Sequence, residues 1–222
     1  MNWAPLELSL RLALWTCVLL IPLAAIGARW LAWSNWRGKV LLEALVALPL
    51  VLPPTVLGYY LLLSLGTHSL LGGWYEALLG RQLVFNFDGL LLAAMIFNIP
   101  FAVQPLQRAF EGVPQDVREA AWCSGLSSWR TFWQVELPLA WPGLVTALTL
   151  SFVHTLGEFG VVLMVGGSIP AQTQTLSIAI YDRVQAFDDL GAGRMSAILL
   201  GISFIAVVLV YLLSRRGPGV GR

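Results

Sequence analysis

Long stretches of this chain carry no charge, and that limits what it can fold into more than any other feature. Five runs lack Asp, Glu, Lys and Arg: Leu12 to Ala28, Ala44 to Thr67, Gly89 to Gln107, Leu137 to Gly157 and Met195 to Ser214. A helix needs about 20 apolar residues to cross the hydrocarbon core of a bilayer. The first run reaches that length by extending back past Arg11, whose long side chain can snorkel to the interface. It has no basic leader and carries Glu7, so it is expected to span the membrane rather than to be a cleaved signal. The fourth run continues through Glu158 to Gly166 or Gly167, long enough to tilt or break. The expected fold class is therefore an all-α integral membrane protein of about five transmembrane helices, with residues 1–222 forming a single domain.

Composition agrees. Of 222 residues 58% are hydrophobic and 11% charged, where a soluble domain carries roughly a quarter charged. Trp and Tyr are plentiful, as suits a protein contacting membrane lipid, because their rings favour the interface. The net charge of +1 and the scatter of the bases exclude a nucleic-acid partner. Cys17 and Cys123 are isolated, without metal-ligand spacing, and a disulfide is not expected. The only lysine, Lys39, is followed by Val40, so the chain holds no phosphate-binding loop of the nucleotide-hydrolase type. No nucleophile elbow or metal cluster is visible, and no residue is assigned a catalytic role.

Orientation follows from the bases, which favour cytoplasmic loops. With the N-terminus outside, Arg29, Arg37, Lys39, Arg108, Arg118, Arg130, Arg215, Arg216 and Arg222 fall in the cytoplasm, and Arg11, Arg81, Arg183 and Arg194 outside. The C-terminus is then cytoplasmic. Between Ser168 and Arg194, Leu176, Ile180, Val184 and Phe187 recur at helical spacing, which reads as an amphipathic helix or a re-entrant segment on the outer side.

The segment 110–138 between the third and fourth runs lies on the positive side. It contains Glu119-Ala120-Ala121, then Gly125, then after nine residues Val135, and finally Leu137-Pro138. The two alanines offer a smooth surface for close helix approach, and Gly125 permits a sharp turn between two short helices. Pro114 and Pro138 bound the segment. Trp122, Leu126, Trp129, Phe132 and Trp133 make an apolar stripe that something must cover. This spacing resembles the EAA coupling loop of ABC importer permeases, with Val135 where that family has Ile. The resemblance implies that Glu119, Ala120, Ala121, Gly125, Leu137 and Pro138 form the contact with a cytoplasmic ABC ATPase. Glu119 would pair with a base on that partner or cap its own helix.

Two further elements extend the resemblance. Pro49, Pro53, Pro54, Thr55 and Gly58 lie in one apolar run. Three prolines remove backbone donors there and should kink or break the helix, leaving either a bent packing helix or a cavity-lining break. The fourth run holds Ser151, His154, Thr155, Gly157, Glu158 and Gly160, followed by Ser168-Ile169-Pro170 and Gln172-Thr173-Gln174-Thr175. Both are similar to segments of the molybdate, tungstate and sulfate permeases, which have Asn in place of Ser168. A carboxylate within a membrane is a functional candidate, but a bare negative charge would repel an anion. Glu158 therefore reads as a helix cap or interhelical bond, with His154 one turn away as its partner. His154 as an anion ligand remains open.

The resemblance implies the transmembrane subunit of an importer for a tetrahedral oxyanion, molybdate ahead of tungstate or sulfate. A second copy of the chain would complete the pathway, an ATPase dimer would bind ATP and Mg, and a periplasmic or extracellular binding protein would deliver the anion. The place implied is the bacterial inner membrane, and no cofactor is expected on this chain. The residues at the broken helices are pathway or gate candidates. An intramembrane enzyme built on His154 and Glu158, or a scaffold, are the rival classes.

Overall fold

The computed structural model describes residues 3–214, so Arg215, Arg216 and Arg222, which entered the charge count above, lie outside the described residues. Twelve α-helices run in the order α1 Ala4–Trp33, α2 Lys39–Val51, α3 Pro54–Leu65, α4 Leu70–Leu79, α5 Phe87–Glu111, α6 Gln115–Cys123, α7 Ser128–Thr131, α8 Leu137–Leu139, α9 Trp141–Gly157, α10 Gly160–Gly166, α11 Leu176–Gln185 and α12 Asp189–Ser214, with a π-helical turn at Phe132–Glu136 between α7 and α8. Three helices, α1, α5 and α12, are long and apolar enough to cross a membrane unbroken. Two bent pairs raise the number to five: α2 with α3, turned by 110°, and the 128–139 segment with α9, turned by 75°. The five charge-free runs thus correspond to five elements, two of them discontinuous.

Lipid tails are as apolar as Leu, so helices associate in a bilayer by close packing rather than by hiding from water. Small residues serve that need where α1, α5 and α9 meet: Ala13, Ala24, Ala25 and Ala28 on α1, Ala93, Ala94 and Ala102 on α5, and Ala147 on α9 are all buried. Gly143 lets α9 approach so near that an added Cβ would sit 2.8 Å from the carbonyl oxygen of Pro105. Among the described residues the core falls into two large clusters strung along α1 and α5 and a small third one of Leu176, Ala179 and Met195. The first gathers Leu12, the inner face of α3, Leu90 and the valines of α10. The second gathers Leu20 to Leu31, Leu106, Phe110, Phe132 and Ala140.

The segment 168–194 is a short helix, α11, followed by a turn into α12. Its inward residues are Leu176, Ile178 and Ala179, whereas Val184 and Phe187 of the expected stripe are exposed. Phe187 has left the helix at φ 56°, which rotates it away from the face it would otherwise share. The turn is pinned by Asp188, whose carboxylate accepts the Gly191 N–H and pairs with Arg183. These two contacts hold that carboxyl below its ordinary range. Helix α4, absent from the expected elements, is started by Ser69, whose hydroxyl accepts the Gly72 N–H.

Helices α3 and α10 touch at Gly58, where a Cβ would lie 2.8 Å from the Met164 Cβ and 3.1 Å from the Val161 Cα. Gly27 on α1 has no such neighbour within 4 Å. Overpacking costs roughly 1–3 kcal/mol. Gly58→Val should therefore lower the thermal midpoint of the detergent-solubilised protein, while Gly27→Ala leaves it unchanged or raises it. Equal effects would count against the close approach.

Candidate functional site

Residues 110–138 fold as an elbow. Pro114 opens α6, where a missing N–H costs nothing, and α6 carries Glu119, Ala120 and Ala121. The helix is closed by a Schellman motif centred on Gly125. The Gly125 N–H bonds the Trp122 carbonyl at 2.9 Å, and the Leu126 N–H bonds the Ala121 carbonyl at 3.1 Å. Gly125 sits at φ 81°, in the left-handed region that glycine enters without penalty. Ser127 then starts α7, its hydroxyl accepting the Arg130 N–H. The chain continues through the π-helical turn to Leu137-Pro138 and bends into α9.

Glu119, Ala120 and Gly125 are exposed on the elbow, and Ala121 is buried in it. The Glu119 carboxylate accepts the Gln115 side-chain amide at 2.6 Å, one turn back, so it caps no helix end. Of the aromatic stripe, Trp122, Trp129 and Trp133 are 42%, 61% and 52% exposed. Phe132 corrects the expectation that the whole stripe faces outward. It is buried, with its ring against Phe110 and stacked on Trp129.

The elbow also hides a charge cluster that hydrophobic periodicity does not reveal. Glu136 is fully buried. Its Oε2 lies 2.5 Å from Arg29 Nε, and its Oε1 lies 3.2 Å from Arg29 Nη2 and 3.2 Å from Arg118 Nε. Arg118 in turn lies 3.4 Å over the Trp33 ring. An acidic residue between aromatics, directly before Leu137-Pro138, was the available signal.

The broken helices meet. Between α2 and α3 the chain is extended at Leu52 and Pro53; between α9 and α10 it opens at Glu158 and Phe159. At Gly160 a Cβ would come within 2.8 Å of the Pro54 Cβ, so the two breaks sit side by side. Pro53, Pro54, Thr55 and Gly157 are exposed there, and Pro49 is half-buried one turn before.

Glu158 supplies what the second break requires. Its Oε1 accepts the Val161 N–H at 3.0 Å, satisfying a first-turn donor of α10, and its backbone carbonyl accepts the Ser177 hydroxyl at 2.7 Å. His154 Nε2 lies 3.8 Å from the other carboxylate oxygen. The imidazole packs on Phe101 and reaches Asn98 Oδ1 at 3.2 Å through Nδ1. Asn98, which the charge-based reading passed over, is fully buried and donates to Thr155 Oγ1 at 2.8 Å. Ser151 and Thr155 are buried within the chain, so these two pathway candidates face neighbouring helices rather than an opening.

Discontinuous helices packed at their breaks, with a helical elbow beyond one end of the bundle, are the build of a membrane transport permease. Residues 21–216 match the family described as the binding-protein-dependent transport system inner membrane component, and the chain belongs to that family. It is 43% identical to the molybdenum transport system permease protein ModB of Azotobacter vinelandii over 98% of this chain and 96% of that one. It is 38% identical to a probable sulfate transport system permease protein, cysT, of Chlorella vulgaris, over 78% of this chain and 65% of that one. Among solved structures, a bacterial alginate ABC transporter in complex with alginate pentasaccharide-bound periplasmic protein superposes with TM-score 0.77 at 14% identity, covering 99% of this chain and 80% of that one. The chain is thus a multi-pass permease with the ABC importer fold, and its relatives are transport components rather than enzymes.

Capping and charge at Glu158 are separable. Gln keeps the oxygen that accepts the Val161 N–H, and Ala removes it. Loss of a side-chain cap costs about 0.5–2 kcal/mol. Glu158→Gln should keep thermal stability and transport near those of the parent, whereas Glu158→Ala should lose stability on that scale. A Gln variant as impaired as the Ala variant would show that the charge is what matters.

Proposed function

We propose that this chain is the translocating subunit of an ATP-driven importer for a tetrahedral oxyanion, with molybdate as the cargo. The identity to a molybdenum permease across almost the whole chain supports that choice most directly. In this reading the chain pairs with a second copy, and the pathway runs along their shared face. A cytoplasmic ATPase dimer binds ATP and Mg beneath the elbows. A periplasmic oxyanion-binding protein docks on the opposite side. The protein lies in the bacterial inner membrane with the N-terminus outside and the C-terminus in the cytoplasm, and residues 110–138 act as the coupling loop within a single permease domain.

The elbow is suited to coupling. Its surface offers Glu119 and Ala120 beside three exposed tryptophans. Exposed apolar rings, two of them in contact, near a charge are what a partner groove would cover. ATP binding would close the motor dimer, draw two elbows together and turn the bundle outward as rigid bodies. The anion would enter weakly. No Lys or Arg lies in the central part of a described span. Thr55 and the N-terminal end of α3, exposed at the break, suit transient contact with a divalent anion. Pro49, Pro53, Pro54, Gly58, Gly157 and Gly160 then serve as gate geometry rather than as ligands. A sulfate permease is the second reading, favoured by the likeness to the probable sulfate permease.

The deciding experiment reconstitutes the chain with its ATPase and adds binding protein loaded with molybdate, tungstate or sulfate. Strongest stimulation of ATP hydrolysis by molybdate-loaded protein is expected. Sulfate ranking first would select the second reading, and no stimulation by any anion would reject the importer.

Two substitutions test the elbow. Gly125→Val forces a β-branched residue into the left-handed region and should abolish uptake in a membrane-inserted protein. Gly125→Asn, which tolerates that conformation, should retain much of it. Glu119→Lys should weaken ATPase association, measured by co-purification; undiminished association would remove Glu119 from the interface.

A further inference from the structure

We propose that the cluster of Arg29 and Arg118 around the buried Glu136 is a joint that fastens the coupling elbow to helix α1, so that the two move as one lever. The inference rests on the coupling reading of the elbow and goes beyond it. It assigns the first helix, which carries none of the loop motif, to the moving part, and it makes Glu136 a positioning residue.

Both arms of the elbow and the remote end of α1 converge on one carboxylate. Arg29 lies four residues before the end of α1, Arg118 lies in α6, and Glu136 ends the π-helical turn. Arg29 grips Glu136 through two nitrogens, Nε at 2.5 Å and Nη2 at 3.2 Å, while its Nη2 also reaches the Ser128 hydroxyl at 3.1 Å. A planar guanidinium bound twice fixes direction as well as distance, which a point charge or an apolar contact does not. Arg118 adds a bond to Glu136 from the opposite arm of the elbow and stacks over Trp33, the last residue of α1, with Trp122 5.1 Å away. Phe110, at the end of α5, packs against both Trp33 and Phe132 and seals the apolar side.

The two arms of the elbow, α6 and α7, are otherwise joined by the turn at Gly125, where a Cβ would meet nothing within 4 Å. That turn is held by its own two backbone bonds, with no side chain packed on it. The cluster bridges both arms and ties them to α1, so force applied at the exposed tryptophans reaches the bundle along α1 as well as along the backbone into α9. The π-helical turn contributes by altering the register of the helix there, the kind of local change that re-aims a side chain at a functional site.

The test reads rigidity and coupling together. Spin labels are placed on the natural Cys123, exposed in α6, and on Ile26→Cys, exposed on α1, in a Cys17→Ala background diluted with unlabelled chain. In the parent, one narrow separation is expected that stays the same between nucleotide-free and ATP-trapped complexes. In Glu136→Gln, and in the milder Arg29→Lys that keeps the charge but loses the fork, the separation should broaden. Anion uptake per ATP hydrolysed should fall about fivefold or more while the ATPase stays bound. Parent labels that move apart by several ångströms between states would overturn the proposal even if neither variant can be made. Unchanged width and unchanged uptake per ATP in both variants would overturn it too. Failure of the coupling reading looks different: the ATPase would not bind the parent, while the separation in the isolated permease still reports whether the joint is rigid.

Discussion

Every backbone donor and acceptor inside a bilayer must find a partner within the protein, and the structure is arranged around that constraint. Continuous helices such as α1 and α5 meet it along most of their length, apart from the carbonyls one turn before Pro22, Pro100 and Pro105. Two of the places where the chain departs from it, at Leu52-Pro53 and at Glu158-Phe159, are set against each other, with Gly160 admitting Pro54 at close range. Each break is repaired locally. Pro53 and Pro54 bring no N–H that would need a partner. Glu158 turns its side chain to the Val161 N–H and its carbonyl to Ser177. A carboxylate that would be costly in hydrocarbon is thereby used as a backbone substitute, beside an imidazole held by Asn98.

The same economy explains where the glycines matter. Gly58 and Gly160 are required by proximity, because a methyl group at either would enter a neighbouring helix. Gly125 is required by conformation alone, since space around it is free but its φ is left-handed. These are different constraints, and they fail under different substitutions: any added side chain at the first two positions, a residue that resists a positive φ at the third.

Much of this was legible in the chain. Absence of charge over runs of adequate length marks membrane helices directly, and the prolines between Leu48 and Thr55 mark a break because their missing donors act wherever they fall. The turn at Gly125 and the capping role of Glu158 were also readable, from local stereochemistry. What was not legible depends on which face of a helix ends up inside. Phe132 and Trp133 are equivalent as letters, yet one is buried and the other exposed, because neighbouring positions on a helix point about 100° apart and only the packing decides which faces inward. Phe187 fits a helical stripe on paper but lies beyond the end of α11 at a positive φ. Helix α4 escaped notice because ten residues are too few to span a membrane, and length was the criterion. Asn98 and Glu136 are invisible to periodicity for the opposite reason. Each is a polar residue on a buried face, and its partners come from remote parts of the chain.

A buried carboxylate held by two partly exposed guanidinium groups is a poor source of stability, because the cost of desolvating the charges largely offsets their attraction. Apolar side chains of similar volume would hold α1 to the elbow about as well. They would hold it without direction, however, and packed apolar surfaces can slide in small steps. A carboxylate gripped twice by Arg29 and once by Arg118 has one low-energy arrangement. The excess positive charge is spread over the Trp33 and Trp122 rings rather than left bare. Where an element must transmit motion instead of merely staying folded, that fixed direction is the property worth its desolvation.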